Sequence, residues 1–409
     1  MKNPKHAPMH QFPVVNDCLQ VGGRPITNIA NEIGGAPFYV YDRKLMTQRV
    51  EQLRNTLPDG LIIKFAIKAN PMPAVVQHMS SLVDGLDVAS AGELRIALDT
   101  GIDPIHVSFA GPGKMDWELK QTISSGAILN LESENEMERA AKIGEQLGIQ
   151  PHVLIRVNPE FELKSSGVKM GGGPKPFGVD SERVPAMLQR LGELKLDFRG
   201  FHIYSGSQNL NPESIIEAQN KTIDLSFRLA EFVPQPITVL NIGGGFGIPL
   251  FPGDKHLELG PIADNLESRI KDVASRLPTA RVAIELGRYL VGEAGLYVSE
   301  VVDRKISRGE VYIVTNGGLH QHLAASGNFG QVLRKNFPVV VANRVVGSKR
   351  EVVNVVGPLC TPLDILAEQM ELAAAQPGDL IAVYQSGAYG FSTSPIAFLG
   401  HPPPAQILV

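Results

Sequence analysis

The sequence has almost no cysteine. Only Cys18 and Cys360 occur among 409 residues, which excludes a disulfide framework and a zinc site built from cysteines. It also lacks an excess of either charge: 38 Lys and Arg face 42 Asp and Glu, a net charge of −4. Without a basic surplus or a Lys/Arg block, neither nucleic acid nor an anionic membrane surface is an expected partner. No run approaches the roughly 18 consecutive apolar residues of a membrane-spanning helix. The opening MKNPKHAPMHQF carries no apolar export segment. Internal repeats and low-complexity tracts are absent. Among the ten histidines no ligand-spaced pair stands with a carboxylate; His320 and His322 come closest, and no metal is expected. These absences together predict a soluble, cytoplasmic, globular protein.

What is present is a rhythm. Hydrophobic residues make up 43% of the chain, and at roughly 150 residues per domain the length implies two or three domains. After a β-rich opening to residue 41, eight short apolar runs follow one another. They are LIIKFAIKA (61–69), LDVAS (86–90), IHVSFAG (105–111), AILNLES (127–133), HVLIRVNP (152–159), FRGFHIYSGS (198–207), TVLNIGGGFG (238–247) and RVAIELGRYL (281–290). Helical spacing fills the gaps, as in 134–148 and 213–233. Strands alternating with helices imply parallel pairing through right-handed crossovers. Eight such units predict a closed (β/α)8 barrel rather than an open doubly wound sheet.

Beyond residue 291 the pattern changes to strands separated by turns. The segment 370–379, with its Pro-Gly-Asp turn signal, reads as a short connection. FPVVNDCLQVGG (12–23) alternates like a strand and is expected to join the later sheet. The expected layout is a barrel over 37–290, with 1–36 and 291–409 forming a β domain, a C-terminal β-sandwich or β-barrel.

Four barrel runs end in residues that carry chemistry, and the C-terminal ends of barrel strands are where catalytic groups gather. The first ends in Lys68-Ala69-Asn70-Pro71. The sixth holds His202 and Ser205, the seventh Gly243, Gly244 and Gly245, the eighth Glu285, Gly287 and Arg288. Each has an ordinary explanation: a solvated lysine, an interior histidine, a tight turn, a structural ion pair. Taken together they describe a site. An amine held in an apolar strand is desolvated and freed for Schiff-base chemistry. Glycines without Cβ atoms let backbone N–H groups cradle a phosphate. With a flat imidazole and a carboxylate, this set describes a binding site for pyridoxal phosphate.

The same segments resemble the fold-type III pyridoxal-phosphate decarboxylases, the group with an alanine-racemase-like barrel that contains diaminopimelate, ornithine and arginine decarboxylases. The likeness runs from PFYVYD (37–42) through FAIKAN, DVASAGEL (87–94), HIYSGSQ, NIGGGFG and ELGRYL to GPLCTPLD (357–364) and SGAYG (386–390). KMGGGPKPFG (169–178), SGSQNLN (205–211) and FLGHPPPAQIL are similar to a narrower subgroup, which acts on carrier-protein-bound glutamyl groups or accompanies exosortase gene clusters. The resemblance implies that Lys68 holds pyridoxal 5'-phosphate and His202 stacks on its ring. It implies that Ser205, Gly244, Gly245, Arg288 and Tyr389 hold the phosphate, that Gly243 and Gly287 also bind the cofactor, and that Arg288 and Tyr389 lie near the substrate. Glu285 would hydrogen-bond the ring nitrogen, which favours decarboxylation over racemisation. Asp87, Glu93 and Arg156 would support this shell. Cys360 would come from the partner subunit of a homodimer with shared sites and return a proton to the substrate carbon. Cys18 has no assigned role.

The pattern departs from diaminopimelate and ornithine enzymes immediately after that cysteine. They place an acid there, against the substrate's distal ammonium; this chain has Thr361, then Pro362. Tyr204 and Ser205 also replace a smaller turn. A hydroxyl cannot neutralise a buried cation, whose isolation costs several kcal/mol. The expected substrate therefore ends in something other than ammonium: a neutral group, or an acyl group tethered to a carrier protein. The alternative is that Asp364 reaches the distal group and the protein is a diaminopimelate decarboxylase. An amino-acid racemase and a non-catalytic cofactor-binding protein are the remaining readings. Glu285 and Cys360 count against the first, intact Lys68 and the β domain against the second.

Overall fold

The computed structural model describes residues 5–161, 168–169 and 171–409, with Val168 and Lys169 described by backbone alone. The chain divides into two units. One comprises Arg49–Gly247 and Leu257–Gly287; the other Met1–Gln48, Ile248–His256 and Arg288–Val409.

The first unit is the barrel. Its strands are β1 (Ile62–Ala66), β2 (Gly85–Val88), β3 (Val107–Phe109), β4 (Ile128–Leu131), β5 (His152–Asn158), β6 (Asp197–His202), β7 (Val239–Gly244) and β8 (Arg281–Leu286). Each pairs in parallel with its neighbour in sequence, and β8 pairs with β1 to close the ring. All eight fall on the runs read from the sequence. Helices follow β1 to β7, from Pro73–Ser80 to Gly260–Arg276. Covered on both faces, the strands are almost wholly buried, which is why they read as continuous apolar runs. Helix starts are fixed just past the strand ends. Ser90 accepts from Glu93 N, Ser133 from Glu136 N and Asn211 from Ser214 N, satisfying N–H groups that the first helical turn leaves unpaired.

The second unit is mostly sheet. Its central strand, Gly295–Ser307, pairs antiparallel with Leu380–Val383, Glu310–Thr315 and Phe38–Tyr41. Arg350–Val356 and Ile365–Ala373 extend the sheet beyond Glu310–Thr315. Phe38, Val40, Leu296, Val298 and Ala382 join Leu19, Ile26 and Ile29 in one buried cluster.

Three details differ from the sequence reading. Phe38–Tyr41, placed at the start of the barrel, pairs instead with Gly295–Ser307 and Ala405–Leu408. Of the connection expected at 370–379, residues 370–373 are the end of a nine-residue strand, Ile365–Ala373, which pairs with Arg350–Val356, and the turn itself falls within 374–379. Residues 12–23 do not join the large sheet. They supply two strands of a separate three-stranded sheet, Val14–Val15, Cys18–Val21 and Arg24–Pro25, tied to the larger one by Leu19 N donating to Ala342 O at 2.8 Å.

Candidate active site

Every barrel strand carries at least one buried polar side chain: Lys64, Asp87, Ser108, Asn130, Arg156, His202, Asn241 and Glu285, from β1 to β8 in order, with Asn158 a second on β5. A polar group in such a place must find a partner, and most find one another. His202 lies between Asn130, 3.0 Å from its Nδ1, and Glu285 Oε1, 3.0 Å from its Nε2. Asn241 donates to the other Glu285 oxygen at 3.0 Å, and its own carbonyl accepts Gly243 N at 3.0 Å. The carboxylate is thereby tied to the glycine turn.

The two interior acids are pushed in opposite directions. Burial, and then the charge of Glu285, raise the Asp87 carboxyl to about 6, against the pull of Lys68, His202 and Lys64. Burial would raise Glu285 as well. The charges of His202 and Lys68 and the hydrogen bonds from His202 and Asn241 outweigh it, and hold that carboxyl well below the usual range. One acid is a committed anion, the other is poised near neutrality; such divergence marks working sites.

Lys68 follows β1 in a short 3-10 turn, Ile67–Ala69. Its Nζ lies 4.0 Å from Asp87 Oδ2, its side chain 41% exposed, and 5.9 Å from the centre of the Tyr204 ring. The amine is thus presented at the strand end and not sunk in the core. The desolvation argued from the sequence falls on Lys64, only 4% exposed. Glu93 accepts Ala89 N at 2.7 Å beside this turn. Arg156 is committed elsewhere: it pairs with Glu132 at 2.9 Å and lies over Phe177, 5.0 Å from the ring centre.

The glycine turn after β7 is closely packed. A Cβ on Gly244 would come within 2.2 Å of Glu285 O, and one on Gly245, whose φ is +77°, within 2.5 Å of Gly206 O. Asn209 N donates to Gly245 O and Gly247 N to Asn209 O, both at 2.9 Å, so the SGSQNLN segment is stitched to the turn. Ser205, Asn209, Gln219 and the three glycines line a small cavity. Asn209 Nδ2, buried there, has no partner among the described residues. Of KMGGGPKPFG, Met170 lies outside the described residues; the backbone of Val168–Lys169 pairs with Gly206–Ser207.

The remaining candidates fall in the mostly-sheet unit. Arg288 stands over the ring of Tyr389, 4.8 Å from its centre. Its Nη1 is occluded and has no partner among the described residues, and burial lowers its pKa from the ordinary guanidinium value. Tyr389 adopts φ 54°, a left-handed backbone uncommon for a bulky residue. Cys360 is exposed, as is Leu363, 58%. Asp364 is not available to a substrate as the alternative reading required. It is 3% exposed, and its two oxygens accept Leu319 N at 2.6 Å and Leu359 N at 2.8 Å. His322 serves packing: Nε2 meets Ser386 Oγ at 2.9 Å and Nδ1 accepts Ala325 N at 3.2 Å.

Lys64, Ser108, Asn130 and Asn241 escaped the sequence reading. The available signal was a lone polar residue inside each otherwise apolar strand.

A carboxylate-anchored imidazole, an exposed amine facing an acid and a closely packed turn without Cβ atoms match what a pyridoxal-phosphate barrel requires. The chain belongs to the pyridoxal-dependent decarboxylases: residues 43–292 match the pyridoxal-binding domain of that family. It is 38% identical to the L-glutamyl-[BtrI acyl-carrier protein] decarboxylase of Niallia circulans, over 91% of this chain and 88% of the relative. It is 32% identical to the diaminopimelate decarboxylase of Aquifex aeolicus, over 88% of this chain and 83% of that one. The crystal structure of diaminopimelate decarboxylase from M. jannaschii in co-complex with L-lysine has the same fold. It superposes with a TM-score of 0.88 at 23% identity, over 98% of this chain and 93% of that one. The protein is thus a pyridoxal-phosphate-dependent carboxy-lyase. Its residues fit the cofactor: within the barrel unit, the unpartnered donor of Asn209 and the Cβ-free glycine turn suit a phosphate. Among the described residues no helix is long and apolar enough to cross a membrane.

Proposed function

We propose that the protein removes the α-carboxylate of an L-amino acid whose distal end is not an ammonium group, in the first place a glutamyl group carried as a thioester on an acyl carrier protein. The observation that carries this reading is Thr361 beside the exposed Cys360, with Asp364 spent on backbone N–H groups. No carboxylate of that loop is then left to balance a distal ammonium, whose isolation costs several kcal/mol. Similarity to the glutamyl carrier-protein enzyme supports the same substrate class.

Lys68 would hold the cofactor through its amine. Ser205, the Gly243–Gly245 turn, Gly287, Arg288 and Tyr389 would hold its phosphate. When bound, pyridoxal phosphate supplies an electron sink for the pair left behind by departing CO2. Glu285, fixed as an anion by His202 and Asn241, would keep a proton on the ring nitrogen. The in-plane nitrogens of His202 are committed to Asn130 and Glu285, so the imidazole has only its flat faces to offer a ring stacked on it. Asp87, 4.0 Å from the Lys68 amine, can take or return a proton there. Cys360, contributed by the partner subunit of a homodimer, would deliver the proton that replaces CO2.

The test is CO2 release over a panel of free and carrier-loaded amino acids, with Lys68→Ala as the blank. The reading expects turnover of a carrier-bound or distally neutral substrate, abolished in Lys68→Ala. Robust turnover of free meso-diaminopimelate or L-lysine would overturn it.

A further inference from the structure

The barrel interior holds a second lysine that the chemistry above does not use. Lys64 sits on β1, four residues before Lys68 and within the strand, its side chain directed into the ring. It is 4% exposed. Its register neighbour on one side is Glu285 of β8, on the other Gly85 of β2. Gly85 leaves the way open: a Cβ there would press within 3.4 Å of Lys64 Cε and Cγ. Past that gap the ammonium reaches the third strand and donates to Ser108 Oγ at 3.0 Å. The Ser108 hydroxyl donates in turn to Asp87 Oδ1 at 3.3 Å, and the other Asp87 oxygen faces Lys68 Nζ at 4.0 Å. The sequence Lys64, Ser108, Asp87, Lys68 is therefore a continuous chain from the barrel core to the amine.

We propose that Lys64 is a positioning residue: its buried ammonium, acting through the Ser108 hydroxyl, orients the Asp87 carboxylate and holds it as the anion that faces Lys68. A lone ammonium in an apolar ring is costly, and burial lowers the Lys64 pKa while Asp87 and Glu285 oppose that fall. Those two carboxylates compensate it. The groups facing Asp87 are Lys64 and Lys68 from the first strand and its end, Ser108 from the third, His202 from the sixth and Glu285 from the eighth. Glu285 pushes the Asp87 proton on; the two lysines and His202 pull it off. Removing Lys64 shifts that balance toward the protonated acid, and Lys68 loses its counter-charge over part of the neutral range.

The experiment reads the Asp87 carboxyl directly in the full chain. Infrared difference spectra against Asp87→Asn, made in each background, isolate its protonated C=O stretch across a pH series. Wild type should titrate at about 6. Lys64→Met, which keeps the length and removes the charge, should raise the midpoint by about 0.5–1 unit. Ser108→Ala, which removes only the bridge, should shift it in the same direction, and decides alone if Lys64→Met does not fold. An unchanged midpoint in a folded variant overturns the proposal, and so does lost stability without a shift, which would make Lys64 a space-filler. The relevance to catalysis rests on Lys68 being the cofactor-holding amine. Borohydride reduction and mass analysis of the Lys68 peptide read that separately, so the two failures are distinguishable.

Discussion

Asp87 should make the protein less stable at the pH where it is needed. Its carboxyl is 1% exposed and titrates at about 6 when folded, against an ordinary 3.8. Between those two values the folded chain keeps a proton that the unfolded chain has released. Stability therefore falls as pH rises through this window and levels off above it. At about 1.36 kcal/mol per unit, the gap of roughly 2.2 units corresponds to about 3 kcal/mol. Asp87→Asn cannot ionise and escapes the fall. Lost contacts to Lys68 and Ser108 lower the variant's baseline, but the slope against pH isolates the titration. In urea unfolding of the cofactor-free chain from about pH 3 to about pH 8, the variant should gain about 3 kcal/mol on wild type across the series. For a unit of this size that corresponds to a relative rise of roughly 6–12 °C in melting temperature. Activity should fall in the same variant, the usual relation between a strained site and the stability it lowers. A flat difference across the series, or a variant losing ground as pH rises, would refute the reasoning.

Two further substitutions separate the phosphate cradle from the fold around it. Gly245→Ala forces a side chain into a backbone at φ +77° with 2.5 Å to Gly206 O; it should cost about 1–3 kcal/mol and weaken cofactor binding at least about tenfold, read by absorbance titration. Unchanged affinity would place the phosphate elsewhere. Arg288→Met removes a guanidinium whose Nη1 has no partner among the described residues, so the cofactor-free protein should be as stable as wild type or more so while its affinity for the cofactor drops. A variant that unfolds with unchanged affinity would make Arg288 structural.

The eight barrel strands were legible because burial on both faces writes each as an unbroken apolar run. The same burial hid the interior polar ring. Where both faces are covered, alternation no longer tells inward from outward, so Lys64 in LIIKFAIKA and Asn241 in TVLNIGGGFG look like incidental polar residues. Lys68, His202 and Glu285 stood out because they lie at strand ends among turn residues. Residues 370–373, the end of the strand Ile365–Ala373, were misread for another reason. ILAEQMELA is rich in residues that favour helices over strands, and only its pairing with Arg350–Val356 makes it a strand. Phe38–Tyr41 was assigned by its place in the chain, whereas its partners lie some 260 and 370 residues later, at Gly295–Val298 and Ala405–Leu408. Such distant pairing leaves no local trace.

The interior ring also accounts for why the site residues cannot be understood one at a time. His202 is oriented by Asn130 and Glu285, Glu285 by His202 and Asn241, and Asn241 by the Gly243 N–H of the glycine turn. On the opposite side Asp87 is held by Ser108, and Ser108 by Lys64. Removing one member leaves a buried partner without its hydrogen bond, at a cost of about 1–3 kcal/mol, and more where the partner is charged. Conservative changes far from the reacting atoms, such as Asn241→Leu or Ser108→Val, therefore act on the electrostatics of Glu285 or Asp87 and not on packing alone. Seven of the eight polar positions fall into two linked groups, one around Glu285 and the other around Asp87, while Arg156 pairs with Glu132 instead.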